Sequence, residues 1–309
     1  MIVAVCLNPA VDVTYTVSAL RPGASHRVRT VRRRPGGKGV NVAAVLTQQQ
    51  IPSRVTGLVG GSVGAELIAG LDAAGIAHGL CPVADSTRQT VTVVAEDEAT
   101  VLNEPGPIVT EAEWPAFKTA FAASLQDADV VTISGSLPGG VPDDSYGQLV
   151  ALCRGAAVPV ILDCEGPALA AALPAGPDIV KINDHEAATT TGVPTDSLPG
   201  VVNAATTLRA HGAGDVVITR GAEGVVAVTS SGRYVVHPAA AVRGNPTGAG
   251  DAFTAGLAAS TADGLDWPAR LRRASAWAAA AVATPTAGVL DLRVADEHED
   301  RTTIEEIQP

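Results

Sequence analysis

Residues 245–253, Asn245-Pro-Thr-Gly-Ala-Gly-Asp-Ala-Phe253, leave the chain few local structures to choose from. Gly248 and Gly250 reach backbone conformations closed to residues with a Cβ, and the small apolar residues that follow predict a helix from near Gly250 through Ala259. A glycine turn that opens a helix gathers backbone N–H groups at the positive end of the helix dipole, which makes an anion cradle. Asp251 comes next. A carboxylate beside an anion site repels the ligand unless the reaction needs a base there, to take a proton from an attacking hydroxyl. Phosphoryl transfer to an alcohol needs both parts. Taken alone, Gly-x-Gly-Asp is more often an ordinary helix start with glycine and aspartate as caps, so other motifs must decide.

The first half of the chain supplies several. Residues 2–7 form an apolar run stopped by Asn8-Pro9, the pattern of a buried strand, and Asp12 follows just past its end, where open α/β sheets hold ligands. Residues 14–34 turn to a β pattern, in which residues 26–31 predict a strand with Arg27 and Arg29 on one face. A second glycine-rich turn, Arg34-Pro-Gly-Gly-Lys-Gly-Val-Asn41, feeds another helix, with Lys38 and Asn41 near its start. A strand at 55–61, a helix at 65–74 and a strand at 76–82 set up a βαβ rhythm. Residues 87–95 and 100–103 break it with a hairpin whose polar members are Arg88 and Asn103, so the segments at 14–34 and 87–103 are expected to form a small sheet added to the main body.

Alternation then resumes, with a helix at 111–125 and strands at 129–134, 158–163, 179–182, 215–219, 225–229 and 234–237. Several strands end in polar or glycine-bearing turns, among them Asp163-Cys-Glu-Gly166, Lys181-Ile-Asn-Asp-His-Glu186 and Thr219-Arg-Gly-Ala-Glu-Gly224. That distribution predicts one ligand cleft along one sheet edge. An Ala-rich helix is expected at 270–283, and residues 297–309 read as a polar tail without evident chemistry.

Composition narrows the function classes. With 309 residues, 46% hydrophobic content and only 3% aromatics, the chain suits buried parallel strands under small-residue helices, as one α/β domain or two smaller ones. The four cysteines lack the spacing of a disulfide framework or a zinc site. Neither a signal peptide nor a membrane span is recognisable at the start, which predicts a cytoplasmic protein without membrane partners. A net charge of −11 argues against nucleic acid as a partner, although the acid-free stretch from Arg21 to Lys38 could meet a small anion or serve as a basic edge that discourages sheet association.

On these residues the chain resembles the ribokinase-like (PfkB) carbohydrate kinases. The two diagnostic segments are Pro-Gly-Gly-Lys-Gly-Val-Asn-Val-Ala at 35–43 and the motif at 245–253, and the similarity covers essentially the whole chain. The segments at 6–15, 87–90, 102–107, 134–142 and 160–166 are most similar to the phosphosugar branch of 1-phosphofructokinases and tagatose-6-phosphate kinases. The resemblance implies a single three-layer α/β/α domain over 1–309, a β-sheet lid inserted from 14–34 and 87–103 that often forms a homodimer interface, and ATP-dependent phosphorylation of a ketohexose monophosphate, fructose 1-phosphate or tagatose 6-phosphate, with Mg²⁺. It implies Asp251 as base, with the amides of Gly248, Ala249 and Gly250 forming the hole for the transferring group. It implies Asp12, Gly37 and Asn41 for sugar hydroxyls, and Lys38, Arg27, Arg88 and Asn103 for the sugar's own phosphate. Lys181, Asn183 and Glu186 match the motif for nucleotide phosphates and water-bound metal, and Thr219, Gly221 and Gly224 match the ATP loop. Ile182 and Arg220 depart from the family's usual residues within those two nucleotide motifs.

A kinase for an unphosphorylated sugar is a competing expectation, opposed by the charge that a neutral sugar would leave unpaired on Arg27, Arg88 and Lys38. A non-catalytic sugar-phosphate binder on the same fold is another, opposed by the intact Asp251 and its glycines.

Overall fold

The computed structural model describes residues 1–95 and 98–308. The chain opens with β1 (Ile2–Cys6), whose residues alternate between two apolar cores: Ile2, Ala4 and Cys6 enter one, Val3 and Val5 the other. Burial on both faces is why this strand reads as an unbroken apolar run. Strands β2 (Ala10–Val17) and β3 (Thr30–Gly36) leave the main body, and α1 (Lys38–Gln48), β4 (Ser53–Val59), α2 (Gly61–Ala73) and β5 (His78–Pro82) return to it. A second excursion forms β6 (Arg88–Ala95) and β7 (Glu98–Asn103).

The chain continues through α3 (Glu113–Ser124), β8 (Val130–Ser134), α4 (Ser145–Gly155), β9 (Val160–Asp163), α5 (Gly166–Ala172), β10 (Ile179–Asn183), α6 (Asp184–Thr191), α7 (Leu198–Ala210) and β11 (Asp215–Thr219). It closes with β12 (Val225–Val228), β13 (Arg233–His237), α8 (Ala249–Ala262), α9 (Trp267–Val282), α10 (Leu292–Arg301) and β14 (Thr303–Ile307).

Among the described residues these strands form two sheets. The larger has ten strands in the order β14-β13-β12-β11-β10-β9-β8-β1-β4-β5. Its pairs from β11 to β5 are parallel, and β12, β13 and β14 join antiparallel. One core holds residues of α1, α2, α8, α9 and α10, the other residues of α3 to α7, so the sheet lies between two helical layers and the fold is α/β/α. The smaller sheet has the order β3-β2-β6-β7, with β2 and β6 parallel. No described helix is long and apolar enough to cross a membrane.

Two expectations fail. Residues 26–29 are not strand: β3 starts at Thr30, and Arg27 and Arg29 lie exposed in the connection from β2. Arg-Val-Arg alternates well enough, but β2 ends at Val17, with Thr16 paired to Thr30, so no partner is left for the residues before Thr30 beyond one bond from the Arg29 amide to the Thr16 carbonyl. The polar tail is also structured, through Ile307. It completes α10, which buries only Ala295 and His298, and forms β14, which pairs along the whole of β13.

Candidate active site

Strands β1, β8, β9 and β10 point their carboxyl ends at one spot, and the first turns of α1 and α8 arrive there from the helical layer. Gly248 caps α8 in the left-handed region at φ +86°. A Cβ on it would lie 2.5 Å from the Ala287 Cβ, so the position demands glycine twice over. Ala249, Gly250 and Asp251 form the first turn. The Ala249 amide donates to the Pro246 carbonyl at 3.2 Å, a bond it would share with any anion bound there. Gly250 faces Lys181: a Cβ there would come within 2.8 Å of Nζ, so the ammonium lies against the glycine turn.

Beneath α8 sits a closed network of charges. The Asp163 carboxylate, at the end of β9 and only 1% exposed, accepts from Lys38 Nζ at 3.2 Å, Lys181 Nζ at 3.1 Å and Thr254 Oγ1 at 2.8 Å. Burial alone would raise its pKa, but the two ammoniums and the Thr254 hydroxyl outweigh burial and hold it at about 2. Asp251 lies near enough to feel the Asp163 charge and is pushed the other way, to about 6, by burial and by that charge, against a hydrogen bond from Asn41 and the two lysines. Of two neighbouring carboxylates, one is held ionised and the other is poised near neutral pH, which is the pairing expected where one of them exchanges protons. Lys38 is raised, chiefly by Asp163.

Several of the residues expected to meet the acceptor lie on one face of the small sheet. Arg34 stands directly opposite Asp12 in the β2–β3 register and donates to its carboxylate at 2.8 Å. Burial raises the Asp12 pKa, against Arg34 and Arg88. Thr90 lies beside Asp12 and opposite Asn103, so Asp12, Arg34, Thr90 and Asn103 share a face. Arg88, two residues before Thr90 in β6, shares it too, and its guanidinium donates to the Asn8 and Glu104 carbonyls and to Thr90 Oγ1. Gly37, at φ +106°, caps α1 where a Cβ would meet Cys6 Sγ at 2.9 Å, and Asn41 in that helix donates to Asp251 Oδ2 at 2.7 Å. Arg27 is not among these residues; it stays in its exposed connection.

On the other side, Asn183 and Glu186 form a reciprocal capping box at the start of α6, each side chain accepting from the other's backbone amide. Glu165 comes into contact with Glu186, and its pKa is raised by burial and by that neighbour. Two carboxyl groups driven together suit a hard divalent cation, although among the described residues no group of three or more His, Cys, Asp or Glu could hold a metal. Thr219 ends β11, its hydroxyl turned to the Ile182 carbonyl, and Gly221 and Gly224 have φ of +54° and +93° in the turn that follows.

Asp163 and Arg34 were not singled out as site residues by sequence. Asp163 had a signal, a carboxylate closing a four-residue apolar strand. Arg34 had none beyond membership of a basic stretch, because its role comes from the register that sets it against Asp12.

The sequence pattern of the pfkB family carbohydrate kinases matches residues 3–292. Among solved structures, a possible 1-phosphofructokinase from Thermotoga maritima is 27% identical over the whole of both chains, with a TM-score of 0.90. The tetrameric inhibited form of phosphofructokinase-2 from Escherichia coli is 25% identical, covering 97% of this chain and 98% of its own, also with a TM-score of 0.90. Ribokinase from Arabidopsis thaliana, solved with ribose and ATP, is 24% identical over 96% of this chain and 98% of its own, with a TM-score of 0.77.

Proposed function

The chain belongs to the pfkB family of carbohydrate kinases, and from that premise we propose that it moves the terminal phosphoryl group of ATP to a hydroxyl of a ketohexose monophosphate, fructose 1-phosphate or tagatose 6-phosphate. The observation that carries the chemistry is Asp251, buried at the start of α8 beside the Gly248–Gly250 turn, with its pKa at about 6. As the acceptor oxygen bonds to phosphorus and the bond to ADP breaks, Asp251 takes the hydroxyl proton. The amides of Gly248, Ala249 and Gly250 and the Lys181 ammonium face the charge that builds on the transferring group. Asp163 holds Lys38 and Lys181 in place from below.

For the acceptor, Asp12, Gly37 and Asn41 take the sugar hydroxyls, and Arg88 and Asn103 the phosphate it already carries. Arg88 suits that task because its partners are neutral oxygens and its charge stays unspent. Thr219, Gly221 and Gly224 line the nucleotide side. A hard divalent ion such as Mg²⁺ neutralises the nucleotide phosphates when bound, and Glu186 with Glu165 is the pair that would hold its water shell. Leu20, Val28, Val31, Val101 and Leu102, all exposed on or beside the small sheet, support a homodimer formed through this lid. The compartment that suits such an enzyme is the cytoplasm.

A neutral sugar as acceptor has one observation in its favour. Lys38 and Arg34 already pair with Asp163 and Asp12, and Arg27 stands apart, so the excess positive charge facing the acceptor is smaller than the sequence alone suggests. The test is release of ADP with fructose 1-phosphate, tagatose 6-phosphate, fructose 6-phosphate and free fructose. Preference for a phosphorylated ketohexose is expected, and preference for free fructose would overturn the assignment.

A further inference from the structure

Arg34 makes more contacts than a surface arginine needs. It comes from β3, in the small sheet, and its side chain is 30% exposed. Nη1 donates to the carbonyl of Ala287, in the loop that packs against Gly248. Nη2 donates to Asp12 Oδ2 at 2.8 Å and to Asn41 Oδ1 at 3.3 Å. Asp12 is itself fixed, because its carboxylate fills the space that a Cβ on Gly36 would occupy, at 2.2 Å. One guanidinium thus touches the sugar-side carboxylate, the α1 amide and the loop beneath the glycine turn.

The Asn41 contact has a chemical consequence. Asn41 is buried, with Gly288 packed against its Oδ1, so water does not choose the orientation of its amide. An amide has one accepting end and one donating end. With Oδ1 accepting from Arg34, Nδ2 is left to donate to Asp251 Oδ2 at 2.7 Å. The flipped amide would set its NH₂ against the guanidinium and its oxygen against a carboxylate, two repulsive contacts. Arg34 does not touch Asp251, yet it selects which end of Asn41 does.

We propose that Arg34 is a positioning residue that fixes the Asn41 amide, and through it the Asp251 carboxylate, to the same strand that orders Asp12. The placement of the small sheet and the readiness of the base are thereby one event. The inference rests on the kinase assignment only for the use of Asp251 as a base; the contacts are independent of it. The other groups that bear on Asp251 are Asp163 at the end of β9, Lys181 in β10, Lys38 in α1 and Cys6 in β1, and Arg34 bonds to none of them.

The test is an NMR titration of the Asp251 side-chain carboxyl carbon, assigned by its loss in Asp251→Asn, in wild type, Arg34→Met and Arg34→Lys. Met keeps the length and removes every donor. Loss of the oriented Asn41 bond should raise the Asp251 midpoint by about one pH unit or more. Lys, whose single nitrogen cannot serve Asp12, Asn41 and the Ala287 carbonyl together, should give a smaller shift of the same sign, and it carries the test if Arg34→Met does not fold. The acid limb of kcat should move with the midpoint. On an Asn41→Ala background, Arg34→Met should add nothing. An unmoved midpoint in the folded variants overturns the proposal, as does a further shift on that background, which would mean that Arg34 acts by charge at a distance. Wild-type protein that phosphorylates no sugar would overturn the kinase assignment instead, and the NMR result would still decide this one.

Discussion

The charges beneath α8 and the charges on the small sheet are held in opposite ways. Under α8, Asp163 and Lys181 are 1% and 6% exposed and lie 3.1 Å apart, and Asp163 is kept ionised by Lys181, Lys38 and Thr254. Where the small sheet meets α2, Arg33 of β3 and Glu66 of α2 form a geometrically good pair, Nε to Oε1 at 2.6 Å and Nη2 to Oε2 at 2.8 Å, with both side chains more than a third exposed. Asp163 and Lys181 have no water to replace a lost partner, whereas the exposed pair has. Contact distance is therefore a poor guide to what a charge contributes in this molecule; burial decides.

Four experiments would break or sharpen that contrast. The largest effect is expected at the base itself: Asp251→Asn should lower kcat by about a hundred- to ten-thousand-fold with sugar-phosphate binding near normal. A variant that keeps about a tenth of wild-type kcat shows that another group takes the proton. In wild type, kcat should fall about tenfold per unit below pH 6, since the Asp251 pKa is raised to about 6 and the base must be ionised. Stability carries two opposed contributions. Asp163, depressed to about 2, stabilises the fold above pH 3.8 and loses that as pH falls toward 2. Asp251, raised, disfavours the fold above pH 6, and that cost is relieved as pH falls from about 6 to 3.8.

Next comes Asp163→Ala, which strands the buried Lys181 ammonium, while Lys38, 36% exposed, can reach water. Breaking a buried pair costs about 3–5 kcal/mol, to be read from denaturant unfolding. A loss under about 1 kcal/mol would put these charges on a par with surface pairs.

Arg88→Ala tests the intermediate case, a half-buried cation proposed to meet the phosphate of the acceptor. It should lower kcat/KM on a ketohexose monophosphate by about ten- to a hundred-fold, mostly through KM, with ATP affinity little changed. Equal losses on free fructose would mark Arg88 as a support for the sheet and not a phosphate contact. The smallest effect belongs to Arg33→Ala, expected to cost about 0.2–1 kcal/mol and to fade in high salt. A salt-independent loss of several kcal/mol would contradict the contrast at its weak end.

Much of the main sheet was legible in the sequence, because strands buried on both faces must be apolar throughout and their ends must be polar where they meet the cleft. Val160-Ile-Leu-Asp163 shows both signals. The glycine turns were legible for a similar reason, since Gly37 and Gly248 occupy conformations and spaces that exclude other residues. The edges were not. Strand β14, Thr303-Ile-Glu-Glu-Ile307, buries little, so it carries the composition of a tail. The stretch at 26–29 carries a strand's alternation without a partner to use it. Arg34 and Asp163 were hidden for another reason: their importance lies in what pairing sets opposite them, and a linear chain does not state its own register.

The parallel alignment of β2 with β6 also bears on how the chain reaches this structure. Those strands are joined by the whole of β3, α1, β4, α2 and β5, so pairing them closes a long stretch of chain that includes β4 and β5 of the main sheet. The hairpin of β2 and β3 emerges early in synthesis, and the free edge of β2 must wait for β6 to arrive. Long-range parallel pairing pays its loop-closure entropy late. The small sheet is accordingly expected to be the last region to gain hydrogen-exchange protection during refolding and the first to lose it. A kinase assembled in this order completes its acceptor side only once its phosphate-transfer side stands.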